Sequence, residues 1–279
     1  MTETRIHRAV STDGTEIAGR VQGDGPALVL VHGGIGDGEI AWEAMMSHLT
    51  DRFTCLLPST RGRGLSADNP DHSPRRLEED VIAFVDSLGE PAYLVGWSGS
   101  GAWVLGAAAR SPAAAAVAVY EPVVLSVAGP DDLARTGATM ENVGMAATDG
   151  RLVDAMRVFA PWVCNDEEVA ALEQTDFYQL WSTRVPAMLR FIQGDASYHG
   201  PRATDPEALA RITAPVLVLQ GQQTRLRTWF TSAAQYITNH VASSQFYELP
   251  GLGHFAPVLQ PASIADELVT FFESTRQPA

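Results

Sequence analysis

Gly96-Trp97-Ser98-Gly99-Ser100 constrains this chain more than any other stretch. It follows the apolar run Ala92-Tyr93-Leu94-Val95 and precedes the helix-forming residues 102–109. A strand-like run that passes into a helix through small residues predicts a tight strand-to-helix turn with Ser98 at its apex. A side chain held there projects from the sheet edge, and its small neighbours let the backbone fold sharply and a substrate approach.

The rest of the chain repeats the strand-helix alternation. Leu28-Val29-Leu30-Val31 is apolar throughout, the pattern of a strand buried on both faces of a parallel sheet. Further short apolar runs lie at residues 54–57, 93–96, 117–120, 216–219 and 245–249, and residues 6–10 and 15–21 form an expected hairpin around Asp13-Gly14. Leu77, Val81, Val85 and Leu88 share one helical face behind Ser73-Pro74, read as a cap and a first-turn proline. Ile264, Leu268, Phe271 and Phe272 form a second stripe after Pro261. The expected architecture is α/β: a mostly parallel central sheet of about eight strands with helices on both faces. Residues 122–212 interrupt it, with no clear strand and helical pieces around 152–159, 166–173 and 177–184. The predicted division is therefore a core of residues 1–121 and 213–279 and a helical cap, or lid, of residues 122–212.

With 279 residues and 46% hydrophobic content, the chain can bury a sizeable core. Its 33 acidic residues outnumber 19 basic ones and no basic cluster occurs, which excludes nucleic acid and anionic membranes as expected partners. No apolar run approaches the ~20 residues of a membrane span, and the opening residues lack the apolar core of a secretion signal. The expected location is the cytoplasm. Cys55 and Cys164 read as separate, reduced and buried thiols. His7, His48, His72, His199 and His240 share no ligand-like spacing, so no catalytic metal is expected. The glycines of residues 33–38 do not match the dinucleotide fingerprint and no Gly-Lys-Ser/Thr phosphate loop occurs, so no cofactor is expected either. The expected partner is a small-molecule substrate, met by a monomer or a homodimer.

Four motifs then stand in order: Leu30-Val31-His32-Gly33-Gly34, Arg61-Gly62-Arg63-Gly64-Leu65-Ser66, the Ser98 turn, and Gly251-Leu252-Gly253-His254-Phe255. In these the chain resembles the α/β-hydrolase superfamily, in its serine hydrolase branch with a helical cap, over nearly everything outside residues 122–212. The resemblance implies Ser98 as nucleophile and His254 as general base, because a serine hydroxyl is a weak nucleophile until an imidazole takes its proton. It places the oxyanion donors at the backbone N–H groups of Gly34 and Gly99. It gives His32 a propping role in the oxyanion loop, and Arg61 and Arg63 read as pinning a turn.

Two positions depart from the family pattern. Ser100 stands where glycine is usual, which leaves Ser100 itself as a rival nucleophile, although Ser98 fits the turn better. After residues 216–219 the chain reads Gly221-Gln222-Gln223-Thr224-Arg225, with no carboxylate where the family commonly places its acid. Glu121, at the end of the run Val117-Ala118-Val119-Tyr120, is the expected replacement, since parallel neighbours bring that strand end to the same rim as Ser98. A Ser-His dyad or an acid from the cap are the alternatives.

The aromatic residues Phe159, Trp162, Phe177, Tyr178, Trp181 and Phe191 read mostly as cap core, with Trp181 and Phe255 assigned to the substrate pocket. Arg225 and Arg227 are placed either at the rim, facing an anionic group, or on the plain surface. The function expected from these residues is serine hydrolysis of a small, apolar ester, lactone or related carbonyl compound. Carbon-carbon bond hydrolysis by the same residues, and a non-hydrolytic lyase-like or ligand-binding protein of the same fold, are the competing readings.

Overall fold

Strands that are apolar on both sides can only be covered on both sides, and two cores result. A computed structural model describes residues 5–276; the opening residues 1–4, read above for a secretion signal, lie outside the described residues. The strands are β1 (Arg5–Val10), β2 (Glu16–Gln22), β3 (Ala27–Val31), β4 (Thr54–Pro58), β5 (Ala92–Trp97), β6 (Ala114–Tyr120), β7 (Val216–Gly221) and β8 (Ser244–Leu249). They form one eight-stranded sheet in the order β1-β2-β4-β3-β5-β6-β7-β8. The pairs β1/β2 and β2/β4 are antiparallel and every other pair is parallel.

Side chains alternate between the two faces, as the period of a strand requires. Leu28, Leu30, Tyr93, Val95, Trp97, Ala118 and Tyr120 enter one core, and Val29, Val31, Leu94, Val117 and Val119 the other. The second core is closed by helices α1 (Pro74–Asp86) and α2 (Ser100–Arg110), which contribute Leu77, Val81, Val104 and Leu105. Ser73 occupies the cap position of α1 but its side chain makes no cap hydrogen bond; Asp71 Oδ1 instead accepts the Ser73 N–H at 3.0 Å.

Between β6 and β7 the chain leaves the sheet and builds helices α3 (Pro130–Thr148), α4 (Leu152–Val163), α5 (Asp166–Leu172), α6 (Phe177–Ser182) and α7 (Val185–Ala196). Their apolar faces, including Val143, Met156, Phe177, Trp181 and Met188, join the first core, together with Leu268 and Phe272 of the C-terminal helix. The expected pieces at 152–159, 166–173 and 177–184 correspond to α4, α5 and α6, whereas α3 and α7 were not anticipated. Among the described residues no helix is long and apolar enough to cross a membrane.

Candidate active site

The backbone at the end of β5 is strained, and the strain falls on Ser98. Its φ is 57°, in the left-handed region that costs a side-chain-bearing residue roughly 1–2 kcal/mol. The turn is fixed by the Ser98 N–H donating to Tyr120 O at 2.9 Å and by Ser98 O accepting from the Gly101 and Val123 N–H groups. Close approach explains its glycines. A Cβ on Gly96 would lie 2.6 Å from Val104 Cγ2, and one on Gly101 would lie 2.5 Å from Pro122 Cβ.

Ser100 needs no glycine, because its hydroxyl has work of its own. It accepts the Trp97 N–H at 2.9 Å and donates at 2.8 Å to Val31 O, fully buried between β3 and β5. The rival serine is thereby turned away from solvent, while Ser98 stays half-buried and borders a cavity.

Glu121 occupies the matching place on β6. Trp97 pairs with Tyr120 across the parallel ladder, so Ser98 and Glu121 are the next residues out on adjacent strands. Glu121 also has a left-handed φ, 47°, and is fully buried. Its Oε1 accepts the Gly221 N–H at 2.9 Å, and its Oε2 accepts both the Thr224 hydroxyl at 3.0 Å and His254 Nδ1 at 2.6 Å. Thr224 stands in the loop after β7, where the family commonly places its acid, and it donates to the carboxylate rather than supplying one. Because the carboxylate accepts a hydrogen bond from Nδ1–H, Nε2 is the ring nitrogen left to accept.

The loop around His254 is built on the same sheet face as Trp97 and Tyr120. Trp97 Nε1 donates to His254 O at 3.0 Å, the Tyr120 hydroxyl donates to Gly253 O, and Phe230 stacks on the imidazole with centroids 5.3 Å apart and planes 4° off parallel. Glu168 of α5 accepts the Phe255 N–H at 2.7 Å. Sequence reasoning missed this carboxylate. The Asn165–Glu168 spacing carries the signature of a helix capping box, but nothing in it points to the His254 loop.

The loop after β3 faces the Ser98 turn. A Cβ on Gly33 would lie 3.2 Å from Trp97 O, and one on Gly99 would lie 3.8 Å from Gly34 N. The backbones of Gly34 and Gly99 are thus neighbours, and the Phe191 ring of α7 sits over both, 3.5 and 3.6 Å from the same positions. His32 supports this loop: its Nε2 accepts the Thr60 N–H at 3.0 Å, so Nδ1 carries the proton and donates to Gly33 O at 2.8 Å. Burial, aided by the Arg63 charge, lowers its pKa to about 3, and the ring is a neutral strut.

Arg61 forms a bidentate pair with Asp80 and reaches Asp13, and Arg63 donates to Gly36 O at 2.8 Å. Arg225 pairs with Asp166 and Arg227 with Glu248, and neither borders the cavity, so the rim role considered for them is not met. Cys55 and Cys164 are free and buried.

Ser98, Gly34, Gly99, His254, Phe255 and Trp181 all line one cavity of about 320 Å³. Phe159, Trp162 and Phe191 also line it, while Phe177 and Tyr178 pack behind. Its wall is predominantly aromatic and aliphatic, with Asp195 and Arg202 paired at 2.7 Å among the few charged groups.

Among curated proteins, a stretch of 94 residues is 35% identical to pyrrolizixenacetamide deacetylase of Xenorhabdus hominickii, covering 33% of this chain and 35% of that protein. Another of 111 residues is 35% identical to a pimeloyl-[acyl-carrier protein] methyl ester esterase of Stenotrophomonas maltophilia, covering 40% and 41%. These matches span well under half the length of either relative. The crystal structure of an alpha/beta hydrolase from Sphaerobacter thermophilus superposes with a TM-score of 0.72 at 27% identity, over 95% of this chain and all of that one. Residues 28–267 match the sequence profile of the Alpha/beta hydrolase family, and with the sheet order and the Ser98 turn already described, the chain belongs to that family.

Proposed function

We propose that the protein is a serine hydrolase that cleaves a small, apolar ester, lactone or related carbonyl substrate through an acyl-enzyme. The observation that carries this reading is the 2.6 Å contact between Glu121 and His254 Nδ1, with His254 and Ser98 opening on one apolar cavity. His254 Nε2 takes the Ser98 proton as Oγ attacks the carbonyl carbon. The tetrahedral oxyanion is met by the N–H groups of Gly34 and Gly99. The imidazolium, held in orientation and stabilised by Glu121, returns the proton to the leaving oxygen, and water repeats the sequence on the acyl-enzyme.

Glu121 serves as the acid in place of a residue after β7. The Gly221 N–H and the Thr224 hydroxyl hold its carboxylate in the orientation His254 needs. Residues 122–212 act as the cap and residues 1–121 and 213–279 as the core, with Trp181 of the cap and Phe255 of the core both on the substrate. The largely apolar wall favours an uncharged acyl or alkoxy group. The free thiols Cys55 and Cys164 fit a reducing compartment, the cytoplasm.

A fluorophosphonate probe followed by intact-mass spectrometry tests the mechanism. One adduct on the wild-type chain and none on Ser98→Ala is the expected result, together with p-nitrophenyl ester turnover that Ser98→Ala abolishes. A folded wild-type chain that takes no adduct would overturn it.

A further inference from the structure

The backbone of Gly253, His254 and Phe255 is held by hydrogen bonds to three side chains, and they come from two parts of the molecule. Trp97 and Tyr120 hold it from β5 and β6. Glu168 holds it from the cap, where its Oε1 accepts the N–H of the peptide that joins His254 to Phe255. The other oxygen, Oε2, accepts the Asn165 N–H at 3.0 Å, while the Asn165 side chain accepts the Glu168 N–H at 2.8 Å. One carboxylate therefore both closes the first turn of α5 and fixes the residue beside the imidazole.

A helix cap alone does not call for this arrangement. A glutamine completes a capping box equally well and carries no charge to desolvate. Burial pushes the Glu168 carboxyl up from its ordinary value, against the two N–H groups that favour its anion. Two N–H donors approaching from opposite sides need two acceptor oxygens, and a glutamine amide has one. The fit is close: a Cβ on Gly253 would lie 2.4 Å from Glu168 Cδ.

The same corner of the cap is tied to the loop that supports Glu121. Asn165 Nδ2 donates to Gln223 O at 2.9 Å, Arg225 Nε donates to Cys164 O at 2.7 Å, and Arg225 pairs with Asp166. Thr224, between Gln223 and Arg225, touches Glu121 directly. Residues 164–168 thus bear at once on the loop of the base and on the loop behind the acid.

We propose that Glu168 is a positioning residue that sets His254 from the cap, so that seating residues 164–168 on the His254 loop completes the base. This rests on reading His254 as the base for Ser98. With Glu168 removed, the imidazole loses its register against both Glu121 and Ser98, although every group in contact with the substrate remains.

The test compares wild type, Glu168→Gln and Glu168→Ala in p-nitrophenyl ester turnover, in the rate of fluorophosphonate labelling and in the pH profile of both. Glu168→Ala should lower kcat and the labelling rate by the same factor, about 10- to 100-fold, with KM changed less than about threefold, and should displace the acid limb of the pH profile. Glu168→Gln, which keeps one acceptor, should fall between the two. The downfield proton of the His254–Glu121 hydrogen bond should shift in both variants. A wild type that takes the probe alongside a Glu168→Ala chain that labels at the same rate with the same profile would overturn the positioning role and leave the hydrolase reading standing. A wild type that takes no probe would remove the hydrolase reading instead. Should Glu168→Ala not fold, Glu168→Gln carries the same readouts. In the wild type itself the Phe255 amide should resist hydrogen exchange, and rapid exchange there would count against the proposal.

Discussion

Thr224 donates its hydroxyl to Glu121 Oε2 at 3.0 Å, and that oxygen is the one that meets His254 Nδ1 at 2.6 Å. The end of β6 and the loop after β7 therefore converge on one point beside the imidazole, with a carboxylate on one and a hydroxyl on the other. The two positions should be exchangeable. Glu121→Gln should cut kcat by about 10³- to 10⁴-fold without unfolding the chain, because the imidazolium loses its anion. Adding Thr224→Asp to that variant should restore at least about tenfold of the loss. Ester turnover measures both, and near-normal rates in Glu121→Gln would move the acid role elsewhere.

The left-handed backbone of Ser98 gives a second expectation, which concerns stability. Ser98→Gly and Ser98→Ala should both be inactive, yet glycine alone accepts a φ of 57° without a Cβ clash. Ser98→Gly should be more stable than Ser98→Ala by about 1 kcal/mol in urea unfolding, with the higher midpoint. Equal midpoints in equilibrium unfolding would mean that the turn stores no strain at that residue.

His32 should make the fold acid-sensitive. Its pKa falls from 6.5 to about 3 on folding, so as the pH drops below 6.5 the unfolded chain takes up a proton that the folded chain refuses. The stability that depends on neutral His32 is present above that pH and is lost progressively as the pH falls towards 3. Between pH 7 and pH 5 the loss from this one group should be roughly 2 kcal/mol. Urea unfolding of wild type and His32→Gln at both pH values checks it, the variant showing the smaller fall. Identical falls would assign the acid sensitivity to other groups.

Phe191 lies over the backbone of Gly34 and Gly99 and lines the cavity, so its ring limits what can extend from a carbonyl bound there. Phe191→Ala should raise kcat/KM for branched or aryl esters relative to acetate by about tenfold. A series of p-nitrophenyl esters reads the change, and an unaltered preference would place the limiting wall elsewhere in the cavity.

Much of this was legible from local pattern. Doubly buried strands read as unbroken apolar runs, which is why β3, β5, β6 and β7 could be marked, and with β5 and β6 placed side by side the ends at Ser98 and Glu121 came to one rim. The helices α3 and α7 escaped because α3 carries glycine and threonine along its length and α7 begins at Val185-Pro186 with Arg184, not a capping Ser, Thr, Asp or Asn, at its cap position. Glu168 escaped for a different reason. Its spacing from Asn165 is a local signal, but its contact with Phe255 joins residues 87 apart, and no periodicity records where a helix end will rest. The arginines at 225 and 227 likewise found partners in Asp166 and Glu248, chosen by tertiary packing.

The hydroxyl of Ser100 bridges the Trp97 amide and the Val31 carbonyl inside the sheet. A pedestal stitched across neighbouring strands does not loosen by fraying, since the bonds that would have to break first are fully buried. Warming the protein should accordingly leave the Ser98 side chain in place until the whole molecule comes apart, so that loss of fluorophosphonate labelling and melting describe a single event.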